Sequence, residues 1–268
     1  MKNILVNAGI DDQMESRLQV ALDFAHRFDA HLTFVQAQPY QSVMGIDMFG
    51  GAHLIAEAMA ASDSSMAEMR TKAEAKLAKE GVSWNWLEFI GQPAAVISDA
   101  ARLCDLVIMS LGETGKSGQN SYRSLVGEVV FGTATPVLAV PAGVQSMQFD
   151  RAMVAYDGGA EAAAALKAAV PLLSIANDVR IAEIEEKESE FPITEASLYL
   201  SRHGINNEIE TAFTKGSIEE TLFDMASDWN ADYLVMGAFG HSRLRETIFG
   251  GVTRYLMHET KIPLLLAH

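Results

Sequence analysis

Residues 237–253, GAFGHSRLRETIFGGVT, determine how the rest of this chain is interpreted. The apolar run before them, residues 233–236, is typical of a short buried strand, and residues 254–258 after them are typical of a helix. A helix that begins at Gly251 or Val252 leaves its first N–H groups unpaired, and their partial positive charge favours a phosphate. Four residues of the stretch lack a Cβ and let a bulky ligand approach the main chain: Gly237, Gly240, Gly250 and Gly251.

Side chains in and beside this stretch add donors and cations to the glycines. The hydroxyl of Thr253 is a candidate hydrogen-bond donor to a phosphate, and Met236 and Val252 flank the loop at its two ends. Three basic side chains are candidates to pair with β- or γ-phosphates, namely His241, Arg243 and Arg245. Arg243 is the first choice among them, and a solvated basic turn is the alternative.

The chain contains an internal duplication. Four segments recur in the same order, as the pairs 2–18 with 151–166, 91–97 with 216–222, 105–109 with 232–236, and 135–140 with 262–267. We therefore predict two domains, residues 1–146 and residues 147–268.

Within each half, short apolar runs alternate with helix-length amphipathic segments. Strands are predicted at 3–7, 31–36, 84–89, 105–110, 137–140, 152–156, 179–184, 207–212, 232–237 and 263–266, and helices at 13–28, 53–80, 94–103 and 122–132. This alternation predicts an α/β fold, with a mainly parallel sheet covered by helices on both faces. Ligands of such sheets bind outside the carboxyl ends of the strands, where the strand order changes direction.

The spacing Gly237-x2-Gly240-x9-Gly250, after a strand and before a helix, resembles the nucleotide-binding motif of the universal stress protein family. The family has Ser or Thr directly after the third glycine, whereas this chain has Gly251 there and a hydroxyl only at Thr253. The resemblance implies two Rossmann-like (adenine nucleotide alpha hydrolase-like) domains, each with a five-stranded sheet. It also implies ATP, with magnesium, in the second domain, and pairing of the last strands in a homodimer or within one chain.

Two further residues are assigned by the same resemblance. Asp157 stands after the first strand of the second half, where the family has an Asp that contacts the nucleotide or its metal. Its carboxylate would accept from a ribose hydroxyl or hold magnesium, and the alternative is a turn that caps the next helix. Ile184 stands where the family presents an apolar residue and backbone to adenine, and ordinary sheet core is its alternative.

The first half departs from the family pattern. It has Ala8 and Gly9 where the Asp is expected, with Asp11 displaced, and Arg123–Ser124 where the last glycine pair would fall. We therefore predict weak or absent nucleotide binding in this half. Residues 115–117, Gly-Lys-Ser, resemble the end of a P-loop, but the residues after them are poor helix starters, which favours a solvated loop.

Composition excludes several classes of partner. The chain has 35 acidic against 20 basic residues, and a net charge of −15 opposes nonspecific binding to DNA, RNA or anionic lipid. No apolar run reaches the roughly 18 residues of a membrane-spanning helix, and residues 1–6 predict a strand, so we expect a cytoplasmic protein. Cys104 is the only cysteine, which excludes an intramolecular disulfide and favours a packing role.

No sequence motif of an enzyme stands out. The chain has no GxSxG elbow, HExxH helix or paired Cys and His ligands, and no residue is an evident base for phosphoryl transfer. We therefore expect no catalytic residue. The resemblance implies a stress-response protein that binds ATP in its second domain as a nucleotide-dependent regulatory module. A ligand-free dimerisation or interaction protein with relic loops and a slow ATPase stay open as alternatives.

Overall fold

The structure is a computed structural model. It describes residues 1–9, 11–38, 51–111, 119–185, 191–214, 216–238 and 251–268, and within these ranges the side chains of residues 51–63, 119–124 and 185 are not described.

Both halves alternate strands and helices. The first half contains β1 (Asn3–Asn7), α1 (Met14–Phe28), β2 (His31–Gln38), α2 (Gly51–Glu80), β3 (Ser83–Ile90), α3 (Pro93–Ala100), a 3-10 turn (Ala101–Leu103), β4 (Leu106–Ser110), α4 (Gln119–Gly132) and β5 (Val137–Val140). The second half contains β6 (Arg151–Ala155), α5 (Ala160–Leu173), β7 (Asp178–Glu185), α6 (Ile193–Arg202), β8 (Glu208–Phe213), α7 (Ile218–Asp228), β9 (Tyr233–Gly237), α8 (Gly251–Glu259) and β10 (Leu264–Ala267). The strands predicted from the apolar runs are all present, with small differences at their ends.

The strands form one sheet in the order β3-β2-β1-β4-β5-β10-β9-β6-β7-β8. Within each half every pairing is parallel, as predicted. The two halves meet at an antiparallel pair, β5 with β10, in which Leu138 lies opposite Leu265. The expected pairing of the last strands is therefore made inside one chain, and it joins the two five-stranded sheets into a continuous ten-stranded one.

Apolar side chains fill both faces of the sheet. Alternate residues of a strand point to opposite faces, so Ile4 and Val6 pack under α1 and α2, while Leu5 packs toward α3 and α4. The second half repeats this arrangement with α5 and α6 on one face and α7 and α8 on the other. Burial on both faces explains why the central strands β4, β5, β9 and β10 are nearly continuous apolar runs in the sequence.

The segment between the halves is anchored on α1. The backbone N–H of Met147 donates to Oδ2 of Asp23 at 2.7 Å, and the Met147 side chain is buried. The ring of Phe149 meets Phe24 edge-on, with 5.1 Å between ring centroids, and Phe28 at 6.4 Å. These contacts tie the start of the second half to the first helix.

Two other expectations concern membrane-spanning helices and the single cysteine. None of the described helices is both long and apolar enough to cross a membrane. Cys104 is half-buried, and burial, together with the nearby Asp105 carboxylate, raises the pKa of its thiol. A thiol that resists ionisation fits the predicted packing role.

Candidate functional site

In the second half, the order in which strands are added to the sheet reverses at β6. The chain passes from β6 to β7 and β8 on one side, and then crosses to β9 and β10 on the other. Because β6 is parallel to both neighbours, the carboxyl ends of β6 and β9 lie side by side. Asp157 follows β6 and Gly237 ends β9, so both flank the crevice in which ligands of such sheets bind.

Asp157 organises the turn between β6 and α5. Its Oδ1 accepts a hydrogen bond of 2.8 Å from the backbone N–H of Gly159, and Gly158 between them has a φ of 79°, which favours glycine. Gly159 is the N-cap residue of α5 and, as a glycine, has no side chain with which to cap the helix. The alternative interpretation of Asp157 is thus confirmed for the turn, in which its carboxylate accepts from the amide of Gly159.

Gly237 has a structural reason to be glycine. A Cβ at this position would lie 2.5 Å from the backbone nitrogen of Ala162 and 2.5 Å from the carbonyl carbon of Glu161. The end of β9 therefore packs directly on the first turn of α5. We expected this glycine to let a ligand approach, and within the described residues the group that approaches is the backbone of α5.

Three other predicted site residues lie on the opposite face of the sheet from α5. Met236, Ile184 and Val252 all pack in or against the apolar cluster under α7 and α8. The Met236 side chain is buried, so only its backbone is placed to contact a ligand. Ile184 is half-buried beside Ala212 of β8, as expected for sheet core at the end of a strand.

Helix α8 begins at Gly251, as predicted. Thr253 is only 4% exposed, so its side chain belongs to the buried side of the helix. The Oε1 atom of Glu219, in the first turn of α7, lies 3.9 Å from where a Cβ of Gly251 would stand. A carboxylate therefore already approaches the helix end that was predicted to attract a phosphate.

The rest of the predicted glycine loop, including Gly240, His241, Arg243 and Gly250, lies outside the described residues, as does the candidate P-loop end at 115–117. One argument against that P-loop was wrong, because α4 begins at Gln119. Weak starting residues are overridden when the rest of a helix packs well, and Val126, Val129 and Val130 of α4 are all buried.

Three carboxylates act on Tyr156, the residue that follows β6. Burial raises the pKa of the Tyr156 hydroxyl, and the carboxylates of Asp157, Glu183 and Glu195 raise it further. In the part of the chain that the structure describes, no group of three His, Cys, Asp or Glu side chains is placed to hold a metal ion. Magnesium at Asp157 would therefore be completed by water and phosphate oxygens, which is its usual mode of binding.

The equivalent crevice of the first half lies between β1 and β4. Ala8 donates its backbone N–H to β2, and Tyr156 donates its backbone N–H to β7 in the same way. These two residues are therefore equivalent, and Gly9, the next residue, takes the position of Asp157. By the same comparison Ser110, the last residue of β4, takes the position of Gly237.

A buried guanidinium, which sequence reasoning missed, fills this first crevice. Arg17 is fully buried, and its Nη1 and Nη2 contact Oδ1 and Oδ2 of Asp11 at 3.2 and 3.0 Å. Nη1 also donates to Oγ of Ser110 at 2.8 Å, and Nη2 donates to the carbonyl oxygen of Gly9 at 3.3 Å. The side chain thus joins the ends of β1 and β4.

The sequence does carry a signal for this arrangement. Arg17 lies on the same helical face as Met14, Leu18 and Ala21, all of which are buried. A charged residue on the apolar face of a helix needs a buried partner. Asp11 lies six residues before Arg17, just before the helix, and is close enough for its carboxylate to reach the guanidinium.

Each half of the chain resembles known proteins separately. Residues 1–141 and residues 148–268 each match the universal stress protein family. The chain belongs to the universal stress protein family. It is a tandem universal stress protein, with two family domains in one chain.

Among its relatives is Universal stress protein Slr1230 of Synechocystis sp. (strain ATCC 27184 / PCC 6803 / Kazusa), which is 28% identical over 171 residues. The match covers 60% of this tandem universal stress protein and 57% of the relative.

Two solved structures share the fold over nearly the whole chain. A universal stress protein from Archaeoglobus fulgidus DSM 4304 superposes with a TM-score of 0.72 at 18% identity, covering 98% of this chain and 95% of that one. A putative universal stress protein from Pseudomonas aeruginosa UCBPP-PA14 gives a TM-score of 0.63 at 14% identity, covering 100% and 93%.

Proposed function

We propose that this tandem universal stress protein binds one adenine nucleotide per chain, ATP with magnesium, in its second half, and that occupancy regulates its conformation or partners. The observation that carries the proposal is the difference between the two crevices. In the first half the crevice is filled by Arg17 with Asp11 and Ser110, whereas the second half has Asp157 and Gly237 there, and the glycine-rich stretch follows Gly237 in the sequence.

Two helix starts in the described residues carry backbone N–H groups that suit the phosphates of such a ligand. The first turn of α5 follows β6, the first turn of α8 precedes β10, and the N-cap residue of α5 is a glycine, which has no side chain. N–H groups at helix starts favour phosphate, and the Asp157 carboxylate would accept from a ribose hydroxyl or hold magnesium. Magnesium, when bound, would neutralise phosphate charge.

Charge sets a condition on how the nucleotide binds. Asp157, Glu183 and Glu195 all act on Tyr156, so the surroundings of the crevice repel a bare triphosphate. We propose that His241, Arg243 and Arg245 supply the opposing cations and that the nucleotide enters as its magnesium complex. Binding at micromolar levels should therefore require the metal.

Regulation requires a ligand that binds two states with different affinity. The carboxylate of Glu219 approaches the start of α8 at Gly251, where a phosphate would compete with it. Displacement of this side chain gives occupied and empty protein different surfaces next to α7.

The test is the stoichiometry and metal dependence of binding. Mass spectrometry of protein purified without added nucleotide, followed by calorimetric titration with MgATP, should show one site per chain. Gly240→Val and Asp157→Ala should each weaken binding by about tenfold or more, the effect of losing one charged hydrogen bond or the close approach of the backbone. Asp178→Ala, at the opposite edge of the sheet, is the matched control. No co-purified nucleotide and no binding heat would overturn the proposal, and two sites per chain would overturn its asymmetry.

Two alternatives have specific tests. The packing of Gly237 on α5 explains one motif glycine without a ligand, which favours a ligand-free interaction protein. Absence of binding in the titration would select it. Slow ATP hydrolysis would appear in a single-turnover assay as ADP that is lost in Asp157→Ala.

A further inference from the structure

Three polar side chains on β2 and β3 form a hydrogen-bonded chain far from the nucleotide crevice. The Oγ of Ser83 lies 2.7 Å from Nδ1 of His31, and Nε2 of His31 lies 2.8 Å from Oδ1 of Asn85. His31 pairs with Ser83 where β2 and β3 begin, so the chain lies at the amino edge of the sheet. It is independent of the proposed nucleotide site.

We assign the proton of the neutral imidazole from its two hydrogen-bond partners. The hydroxyl of Thr33 donates to Oδ1 of Asn85 at 2.8 Å, which orients the amide oxygen toward His31. Because this oxygen only accepts, Nε2 of His31 carries the proton in the neutral ring. The lone pair of Nδ1 then faces Ser83 and accepts its hydroxyl proton.

This arrangement has the parts of an activated nucleophile. A hydroxyl within hydrogen-bond reach of a base, with the base oriented by a third group, is the geometry by which serine is activated in many proteins. Ser83 is exposed, whereas His31 and Asn85 are half-buried, so a reagent can reach the hydroxyl while the base stays in place.

The same face of β3 continues with apolar side chains. Alternate residues of a strand share a face, so Ser83 and Asn85 are followed by Leu87 and Phe89, which are 36% and 43% exposed. At about 3.3 Å per residue, Leu87 lies roughly 13 Å along the strand from Ser83, so its side chain is within reach of the far end of a medium acyl chain on Ser83.

We propose that Ser83 is a nucleophile that accepts acyl groups from activated esters or thioesters, with His31 as its general base and Asn85 as a positioning residue. The Ser83 oxygen bonds to the acyl carbon while its proton passes to Nδ1 of His31. The bond from that carbon to the leaving oxygen or sulfur then breaks, and the leaving group takes the proton from His31. The product is an acyl ester on Ser83, which water can hydrolyse with His31 again as base.

The probes are p-nitrophenyl octanoate and p-nitrophenyl acetate on the full chain, followed by intact mass and peptide mapping. The expected product is one acyl group on Ser83, formed faster from the octanoate. Ser83→Ala should abolish it, and His31→Gln should slow it by about a hundredfold, the usual contribution of a general base. Leu87→Lys should remove the preference for the longer chain.

Two variants separate a nucleophile from a merely structural chain of hydrogen bonds. Asn85→Asp keeps an acceptor toward Nε2 and should acylate at least as fast as the natural protein, whereas Asn85→Ala should acylate about tenfold more slowly, a smaller loss than removal of the base itself. Ser174→Ala is the matched control, because Ser174 is exposed and its hydroxyl donates only to the carbonyl oxygen of Pro171 among its described partners. Thermal unfolding of each variant checks that it is folded.

Three results would overturn the proposal. They are acylation spread over several serines and lysines, acylation of Ser83 unchanged in His31→Gln, and no adduct in folded natural protein at millimolar probe. In each case the three side chains are only a polar link between two strands.

Discussion

Two nitrogens of Arg17 face two oxygens of Asp11, at 3.2 Å from Nη1 to Oδ1 and 3.0 Å from Nη2 to Oδ2, with both side chains buried. The pair stands in the first half at the place that corresponds to the second half's crevice between β6 and β9. Two crevices of the same fold have therefore diverged, one filled by an internal cation and the other retaining the glycine-rich motif.

Breaking this pair should destabilise the protein. Asp11→Ala leaves a buried guanidinium without its counter-charge, which costs about 3 kcal/mol or more of unfolding free energy. Urea denaturation measures the loss, and adding Arg17→Met should restore much of it because both charges are then gone. Asp99→Asn, in an exposed ion pair with Arg102, is the control and should change little. A loss for Asp11→Ala as small as that of the control would contradict the buried pair.

Adding one methyl group at Gly237 should strain the second half. Gly237→Ala places a Cβ against the backbone of Glu161 and Ala162, and the forced shift should lower the unfolding free energy by about 2 kcal/mol. Gly251→Ala is the matched control, because the nearest atom is a Glu219 carboxylate oxygen at 3.9 Å. Equal stabilities of the two variants in thermal unfolding would show that α5 does not constrain this position.

The acid stability of the first half should depend on Asp105. The backbone N–H of Lys2 donates to its carboxylate and lowers the pKa of Asp105 most. Desolvation raises this pKa by a lesser amount, and the backbone N–H of Asn3 and the positive amino terminus lower it again, so it lies below its usual range. A lowered pKa in the folded state stabilises the protein above the pKa of the unfolded chain, near about pH 4. This contribution is lost as the pH falls through the folded value.

The variant Asp105→Asn keeps an oxygen acceptor but does not titrate. Its melting temperature should therefore fall less than that of the natural protein between about pH 5 and pH 2. Thermal unfolding at a series of pH values measures this slope. Parallel curves for the two proteins would show that the hydrogen bonds to Asp105 do not contribute to acid stability.

The anchor between the halves rests on Phe149. Phe149→Ala removes the ring that contacts Phe24 and Phe28, and we expect a loss of about 2 kcal/mol for this half-buried aromatic side chain. Phe213→Ala, whose ring is 73% exposed at the end of β8, is the control and should cost less than about 0.5 kcal/mol. A similar loss from both variants in urea denaturation would mean that Phe149 does not anchor the linker.

The sequence by itself determined the elements, the duplication and the family. Strands buried on both faces must be continuous apolar runs, so β1 and β5 were predicted at the residues where they lie. The glycine spacing after β9 carried the family resemblance, which the match over both halves confirms. Local patterns were sufficient for the elements and the motif because each depends on residues that are neighbours in the chain, and the duplication followed from the recurrence of such patterns in the same order.

Only the tertiary structure decided which distant residues meet. The contact of Arg17 with Ser110 spans 93 residues, and that of His31 with Ser83 spans 52. Neither follows from spacing along the chain, because strand order and register decide which side chains become neighbours. The same holds for Gly237, which must be glycine because a Cβ would clash with the backbone of α5, a helix that begins more than seventy residues earlier. Periodicity fixes which face a residue occupies, and close packing between elements fixes what it touches there.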